Sequence, residues 1–227
     1  MFIGHFGVGL GAKAAKPKVS LGTMFLAAQF IDLLWPTLVL LGFEQVAIKP
    51  GITKLTPLDF VHYPISHSLL MVCIWALLFG TFYWLIKKNT KGALVLGLLV
   101  LGHWILDLVV HRPDLPLYPG GAIFIGFGLW NSIAGTLLLE GFIFVVGVIL
   151  YLRVTRAKNR AGVYGFWALV VFLVFLYLGG MFGPPPPNTN SIAVAGQLQW
   201  GVVIWAYWVD RNRIAKRPVS NAAYTLN

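Results

Sequence analysis

All five histidines of this chain fall within its first 111 residues, and acidic residues accompany them inside otherwise apolar segments. His103, Asp107 and His111 lie four residues apart in GHWILDLVVH. Each step of four drifts only ~40° around a helix, so the three share one face. The His-x3-Asp unit sets an imidazole nitrogen and a carboxylate oxygen one turn apart, within reach of a common cation. The competing reading is a hydrogen-bonded polar stripe between helices. Ionisable groups at membrane depth cost roughly 2.5–3.5 kcal/mol each on insertion scales, so by default they mark a site.

Asp32, in AAQFIDLLWP, falls midway along the first apolar run. A bare carboxylate at that depth protonates or finds a cation. No Lys or Arg occurs inside an apolar run, which leaves a histidine or a metal as its partner. Pro36 removes the hydrogen bond to the Asp32 carbonyl and is expected to bend the helix there. His62 and His67 frame HYPISH; Pro64 keeps the preceding residue extended, and Ser66 is expected to cap a helix that begins at His67. His62 also reads as a solvated loop histidine. His5, in MFIGHFGVGLG, reaches the others only if residues 1–12 turn back into the membrane, with Gly4, Gly7, Gly9 and Gly11 permitting close packing. Glu140, in GTLLLEGFIF, is a further acid at depth, suited to neutralise the site, relay a proton or orient a ligand histidine. Gln197 and Gln199 read as groups that bond one helix to another.

The elements that must position these groups follow from composition. The 227 residues are 58% hydrophobic and 11% charged, with mean hydropathy +0.79, more apolar than a soluble domain. Runs of about 20 apolar residues cross a bilayer, and the sequence offers six, near 20–42, 66–86, 92–111, 130–152, 163–181 and 190–209. The reading is an all-α, polytopic membrane helical bundle of about six transmembrane helices. Residues 1–121 would form a metal-site region with three transmembrane helices, and 122–209 would supply three more. Residues 210–227 would be a basic, loosely ordered tail.

Lys and Arg concentrate in the N-terminal segment, the 87–91 loop, the 153–162 loop and the tail, against Lys49, Lys54 and Arg112 alone elsewhere. The positive-inside rule then predicts that both termini are cytoplasmic. The same pattern accounts for the net charge of +10 without nucleic acid as a partner. The expected location is the inner (plasma) membrane, multi-pass, and no cleavable signal peptide is visible. The single cysteine, Cys73, excludes an intrachain disulfide and reads as a small core hydrophobe.

An N-terminal HFG, an apolar helix bearing an Asp before a Pro, an H-x4-HS element, and H-x3-D leading into LYPGG at 117–121 resemble the membrane-bound metal-dependent hydrolase family, the inner-membrane-associated hydrolases. The resemblance covers roughly residues 1–121 and implies a distant likeness to zinc-dependent phospholipases C. It implies metal binding by Asp32, His62, His67, His103 and Asp107, with His5 a further candidate. His111 rests on helical spacing alone. The chain departs from the family at two points: a single Asp stands in IDLLWP where the family carries an acid pair. Tyr63 and Pro64 stand after His62 where the family has an Arg and a Gly, so the Arg that could grip a phosphate is lost.

The leading expectation is therefore an integral membrane metal-dependent hydrolase, acting on a phosphoester or another lipid-borne ester. A divalent metal, zinc by its imidazole and carboxylate donors, would activate water. Asp32 and Glu140 are the residues expected to handle the proton. The rival readings are an ion or proton transporter, and a non-catalytic membrane protein with a structural metal site.

Overall fold

The computed structural model describes residues 1–216. It is mostly helical. Helices α4 (Leu69–Lys87), α5 (Thr90–Val110), α6 (Ile133–Val154) and α7 (Arg160–Phe182) are each long and apolar enough to cross a membrane. So is the pair α8 (Thr189–Gln197) and α9 (Gln199–Arg211), taken as one span. A sixth is formed if α2 (Leu21–Ala28) and α3 (Phe30–Leu40), bent by 56° at Gln29, count together. Large apolar side chains point outward along these helices: Leu77, Phe82, Leu138, Phe142 and Phe175 are each at least two-thirds exposed. Patches of that extent are foreign to a water-facing surface.

The first helix, α1 (Ile3–Ala15), is shorter and lies inside the bundle. It runs along α6, and it touches α2, α5 and α7 as well. The approach is backbone to backbone. A Cβ on Gly7 would stand 2.7 Å from Phe144 Cα, and one on Gly147 would stand 2.0 Å from the Gly7 carbonyl oxygen. Small residues permit such approach between apolar helices, where burial from water offers no drive. Met1 is buried beside α5 and α6, in one cluster with Val110 and Trp130. At its other end α1 is tied by Lys13, whose Nζ donates to the Val19 carbonyl at 2.7 Å and to Asp210 Oδ1 at 2.6 Å.

Three short two-stranded sheets, absent from the expected all-helical pattern, lie between the helix ends. Strands β1 (Gln45–Ile48) and β2 (Leu58–His62) pair antiparallel, as do β3 (Leu115–Pro116) with β4 (Phe124–Ile125). Strand β5 (Thr155–Ala157) pairs with β6 (Arg213–Ala215), so the expected loose tail is structured as far as β6. Arg213 explains why. Its guanidinium lies 5.2 and 5.0 Å from the ring centres of Tyr151 and Phe166, and it donates to Thr155 Oγ1 and the Gly162 carbonyl. The remainder of the basic tail, 217–227, lies outside the described residues.

Two helix features depart from expectation. The sharp break falls at Gln29, not at Pro36, which sits inside α3. The Asp32 carbonyl that Pro36 leaves free is instead approached by the Gln199 side-chain amide at 3.4 Å, while Gln197 donates to Thr37 Oγ1 at 2.9 Å. The second span begins at Leu69, and Ser68 caps it by accepting from the Met71 N–H. Ser66 has a different task.

Candidate metal centre

The break at Gln29 prepares the site. The last carbonyls of a helix lack intrahelical partners, and the Ala28 carbonyl at the end of α2 accepts from His103 Nδ1 at 2.7 Å. A carbonyl only accepts, so the proton of a neutral His103 sits on Nδ1 and the lone pair on Nε2. That Nε2 is buried and makes no hydrogen bond, although Asp107 Oδ2 lies 3.0 Å and Asp32 Oδ1 3.6 Å away.

His67 repeats the arrangement from another element. Its Nδ1 lies 2.7 Å from Ser66 Oγ, and the Ser66 hydroxyl donates to Glu44 Oε2 at 2.6 Å. With the hydroxyl proton committed to the carboxylate, Ser66 Oγ accepts from His67 Nδ1, and again Nε2 carries the lone pair. His67 Nε2 stands 3.5 Å from Asp32 Oδ1 and 3.8 Å from Asp107 Oδ2. The loop is pinned in place: Glu44 Oε1 accepts from the Ile65 and Ser66 N–H groups at 2.8 Å each, and Trp104 Nε1 of α5 donates to the His67 carbonyl at 2.8 Å.

With both imidazoles neutral, two lone-pair nitrogens face two carboxylates at 3.0–3.8 Å. Ligands of one tetrahedral ion with bonds of 2.0–2.2 Å stand ~3.3–3.6 Å apart. Donor groups that bear no proton between them repel at such range unless a cation lies among them. Two overlapping sets, Asp32 with His67 and His103, and His5 with His103 and Asp107, each keep one ligand atom per residue within 4.8 Å of the others. Among the described residues no Lys or Arg side chain pairs with Asp32 or Asp107; the one protein ammonium at the cluster is that of Met1, on Asp107 Oδ1, and none reaches Asp32.

His5 enters because α1 lies inside the bundle. Its ring stacks on that of His103, centres 3.6 Å apart and planes 7° apart, and its Nε2 is 3.0 Å from Asp107 Oδ1. The Met1 amino group contacts the same Asp107 oxygen. Glu140 does not join either donor set. Its Oε2 accepts from the Phe2 and Gly4 N–H groups at 2.9 and 3.2 Å, the free donors at the start of α1, where a carboxylate is also favoured by the helix dipole.

His111 and His62 lie apart from the cluster. His111 Nδ1 donates to Asp114 Oδ1 at 2.9 Å, and its ring rests against Trp130, centres 4.2 Å apart. Burial holds this imidazole below its ordinary pKa and hence neutral. The helix ends at Val110, so the four-residue spacing that aligned His103 with Asp107 no longer governs residue 111. Asp114 also accepts from the Tyr63 hydroxyl at 3.0 Å and from Arg112 Nε at 3.0 Å. Burial, then the Asp114 carboxylate, pushes the Tyr63 hydroxyl well above its ordinary range, keeping it a donor. His62, at the end of β2, is exposed and contributes to neither donor set.

A cavity of about 490 Å³ opens beside the cluster and is bordered by Asp32, His67, Asp107, His111 and Glu140. That falls within the ~300–1,000 Å³ typical of small-molecule sites. Asp32 is the carboxylate more open to it, its side chain 22% exposed against 2% for Asp107. Sequence reasoning missed Glu44 and Asp114 and expected Ser66 only as a cap; all three orient histidines without joining either donor set. Only the short spacing of Ser66 to His67 and of His111 to Asp114 carried any signal.

No protein-family model, curated protein or solved structure matches this chain.

Proposed function

We propose that the protein is an integral membrane metal-dependent hydrolase that cleaves a phosphoester or another lipid-borne ester. One observation carries the reading: the Nε2 atoms of His67 and His103, both with Nδ1 committed elsewhere, face the carboxylates of Asp32 and Asp107 at 3.0–3.8 Å. The donor set suits zinc or a similar borderline divalent ion. Such an ion supplies a Lewis acid and lowers the pKa of a coordinated water to about 7.

The protein's own residues do the rest. The Ala28 carbonyl and Ser66 hydroxyl fix the tautomers that leave Nε2 basic on His103 and His67. Outer partners of this kind matter about 10–100-fold in affinity in other sites. Asp32, the carboxylate more open to the cavity, is placed to take a proton from water. Glu140, held by two N–H donors, anchors the start of α1 and so places His5. The resemblance of the first 121 residues to the membrane-bound metal-dependent hydrolases supports the same reading.

The test is metal analysis of detergent-purified protein, followed by assay on phosphomonoester and phosphodiester lipids in vesicles. Stoichiometric zinc or another transition metal is expected, lost in Asp107→Ala together with any turnover. Metal-free wild type, or turnover unaffected by chelation, would overturn the proposal. The bent α2–α3 pair at the cluster favours one rival, an ion path. Flux in proteoliposomes that survives metal removal would select that rival.

A further inference from the structure

One histidine borders the cavity without belonging to the cluster. His111 is only 3% exposed, and Trp130 and Phe60, which border the same cavity, pack around its ring with centres 4.2 and 4.9 Å away. The ring is held from behind. Its Nδ1 lies 2.9 Å from Asp114 Oδ1, and that carboxylate also accepts from the Tyr63 hydroxyl and from Arg112 Nε. Two further donors on Asp114 keep it an acceptor, so the proton of the neutral imidazole sits on Nδ1 and the lone pair on Nε2.

This Nε2 makes no hydrogen bond to any described residue, and unlike His103 Nε2 and His5 Nδ1 it is not sealed among protein atoms. A ring nitrogen left open on so buried a residue faces the space that the residue borders, which is the cavity. An acceptor in that position takes its hydrogen bond from water or from a ligand. Its chemistry selects the ligand group. A lone pair repels an anion, and a cation is served better by the carboxylates of Asp32, Asp107 and Glu140 on the same wall. A neutral hydroxyl is what remains.

His111 also stands at a particular depth. Helix α5 ends one residue before it, and Arg112, Asp59 and Lys49 form a chain of ion pairs just beyond. Charged groups of this density belong at the polar edge of a bilayer, not in its hydrocarbon core. That is the level of lipid headgroups, and of small molecules arriving from water.

We propose that Nε2 of the Asp114–His111 pair is a hydroxyl-binding group of the cavity, selecting phosphoesters whose alcohol part carries a free hydroxyl, as a glycerol head does. The contact itself needs no metal, because His111 belongs to neither donor set. Only the word phosphoester rests on the hydrolytic reading above.

The experiment uses the full chain in detergent, stripped of metal by EDTA so that no ligand is consumed. Native mass spectrometry compares dioctanoyl phosphatidylglycerol with dioctanoyl phosphatidylpropanol, which share charge and chains and differ in the headgroup hydroxyls. Glycerol 3-phosphate against propyl phosphate makes the same comparison for a water-borne ligand. Wild type should hold the hydroxyl-bearing member of one pair roughly two- to tenfold tighter, the worth of one hydrogen bond. The pair that shows the preference tells a headgroup from a soluble ligand. His111→Asn keeps an N–H for Asp114 but puts nothing at Nε2, and should abolish the preference with the melting temperature near that of wild type. His111→Phe, which keeps a flat ring against Trp130, should abolish it too. Equal binding within both pairs by wild type means that the nitrogen holds only water, and overturns the proposal. So does a preference that survives both substitutions. A preference in a protein that retains no metal upholds the hydroxyl contact and sinks only the hydrolytic reading; stoichiometric metal without a preference does the reverse.

Discussion

The rings of His5 and His103 lie parallel, centres 3.6 Å apart, with one Asp107 oxygen serving each: Oδ1 beside His5 and Oδ2 beside His103. This sandwich joins α1 to α5 and gives the two histidines separable roles. His5→Phe keeps a flat ring of similar size and should leave the melting temperature within a few degrees of wild type. It removes Nε2, however, and metal affinity should fall by more than the roughly 10–100-fold that loss of outer partners brings in other sites. Chelator competition measures this, and unchanged affinity would remove His5 from the centre.

Glu44→Gln probes the tautomer argument without touching a donor. The substitution replaces an accepting oxygen of Glu44 by an amide that donates. The Ser66 hydroxyl then turns towards His67 Nδ1, and the proton of a neutral imidazole moves to Nε2. Zinc affinity should drop about tenfold or more, and Ser66→Ala should do less. Equal affinity in Glu44→Gln and wild type would contradict the assigned tautomer.

Metal retention should weaken in acid. Ligand imidazoles must be neutral, and their ordinary pKa is about 6.5, so binding competes with protons from there downward. Bound metal should be retained on dialysis at neutral pH and released as pH falls towards 5. Chelation at pH 7 should also lower thermal stability, by about 2.7 kcal/mol if free metal stood at a hundred times its dissociation constant. A melting curve indifferent to EDTA argues that no ion was bound.

Gly7 and Gly11 offer a paired test of the α1–α6 contact. Gly7→Ala sets a methyl 2.7 Å from Phe144 Cα, a backbone atom that cannot yield alone. Overpacking of this kind costs about 1–3 kcal/mol, and the shift of α1 should also reduce metal content. Gly11→Ala meets its nearest neighbour at 3.5 Å and should be tolerated. Thermal melting of the two variants compares them, and equal stability would refute the close approach.

At the other end of α1, Lys13→Met leaves Asp210 without its partner. Removing one member of a buried pair costs about 3–5 kcal/mol, and the 19% exposure of the Asp210 side chain places this case at or below the lower bound. The double variant Lys13→Met/Asp210→Asn should regain part of the loss. If the double variant is as unstable as the sum of both single changes, the two groups do not act as a pair.

The heart of the site was legible because helical period is legible. His103 and Asp107 share a face at any register, and the position of Asp32 in an apolar run left it few partners. His67 stood out at the start of the second apolar run, although the cap expected of Ser66 is supplied by Ser68, two residues on. What stayed hidden depends on contacts far apart in sequence. Glu44 acts on His67 across a loop, and nothing in LGFEQV announces it. The break at Gln29 has no proline or glycine to signal it, whereas Pro36, the visible breaker, is accommodated inside α3 with Gln199 at the carbonyl it frees. Likewise, His111 kept the spacing of its neighbours but lies past the last helical turn.

Helix α1 also acts as a ruler. Its start is fixed by Glu140 and Asp107, its middle by the Gly7–Gly147 contact and its end by Asp210. One residue inserted between His5 and Lys13 would turn whatever follows by ~100° and lengthen it by ~1.5 Å. The imidazole and the ammonium could then no longer both find their partners. The distance between those two side chains is therefore a quantity the sequence has to keep, whatever else around it changes.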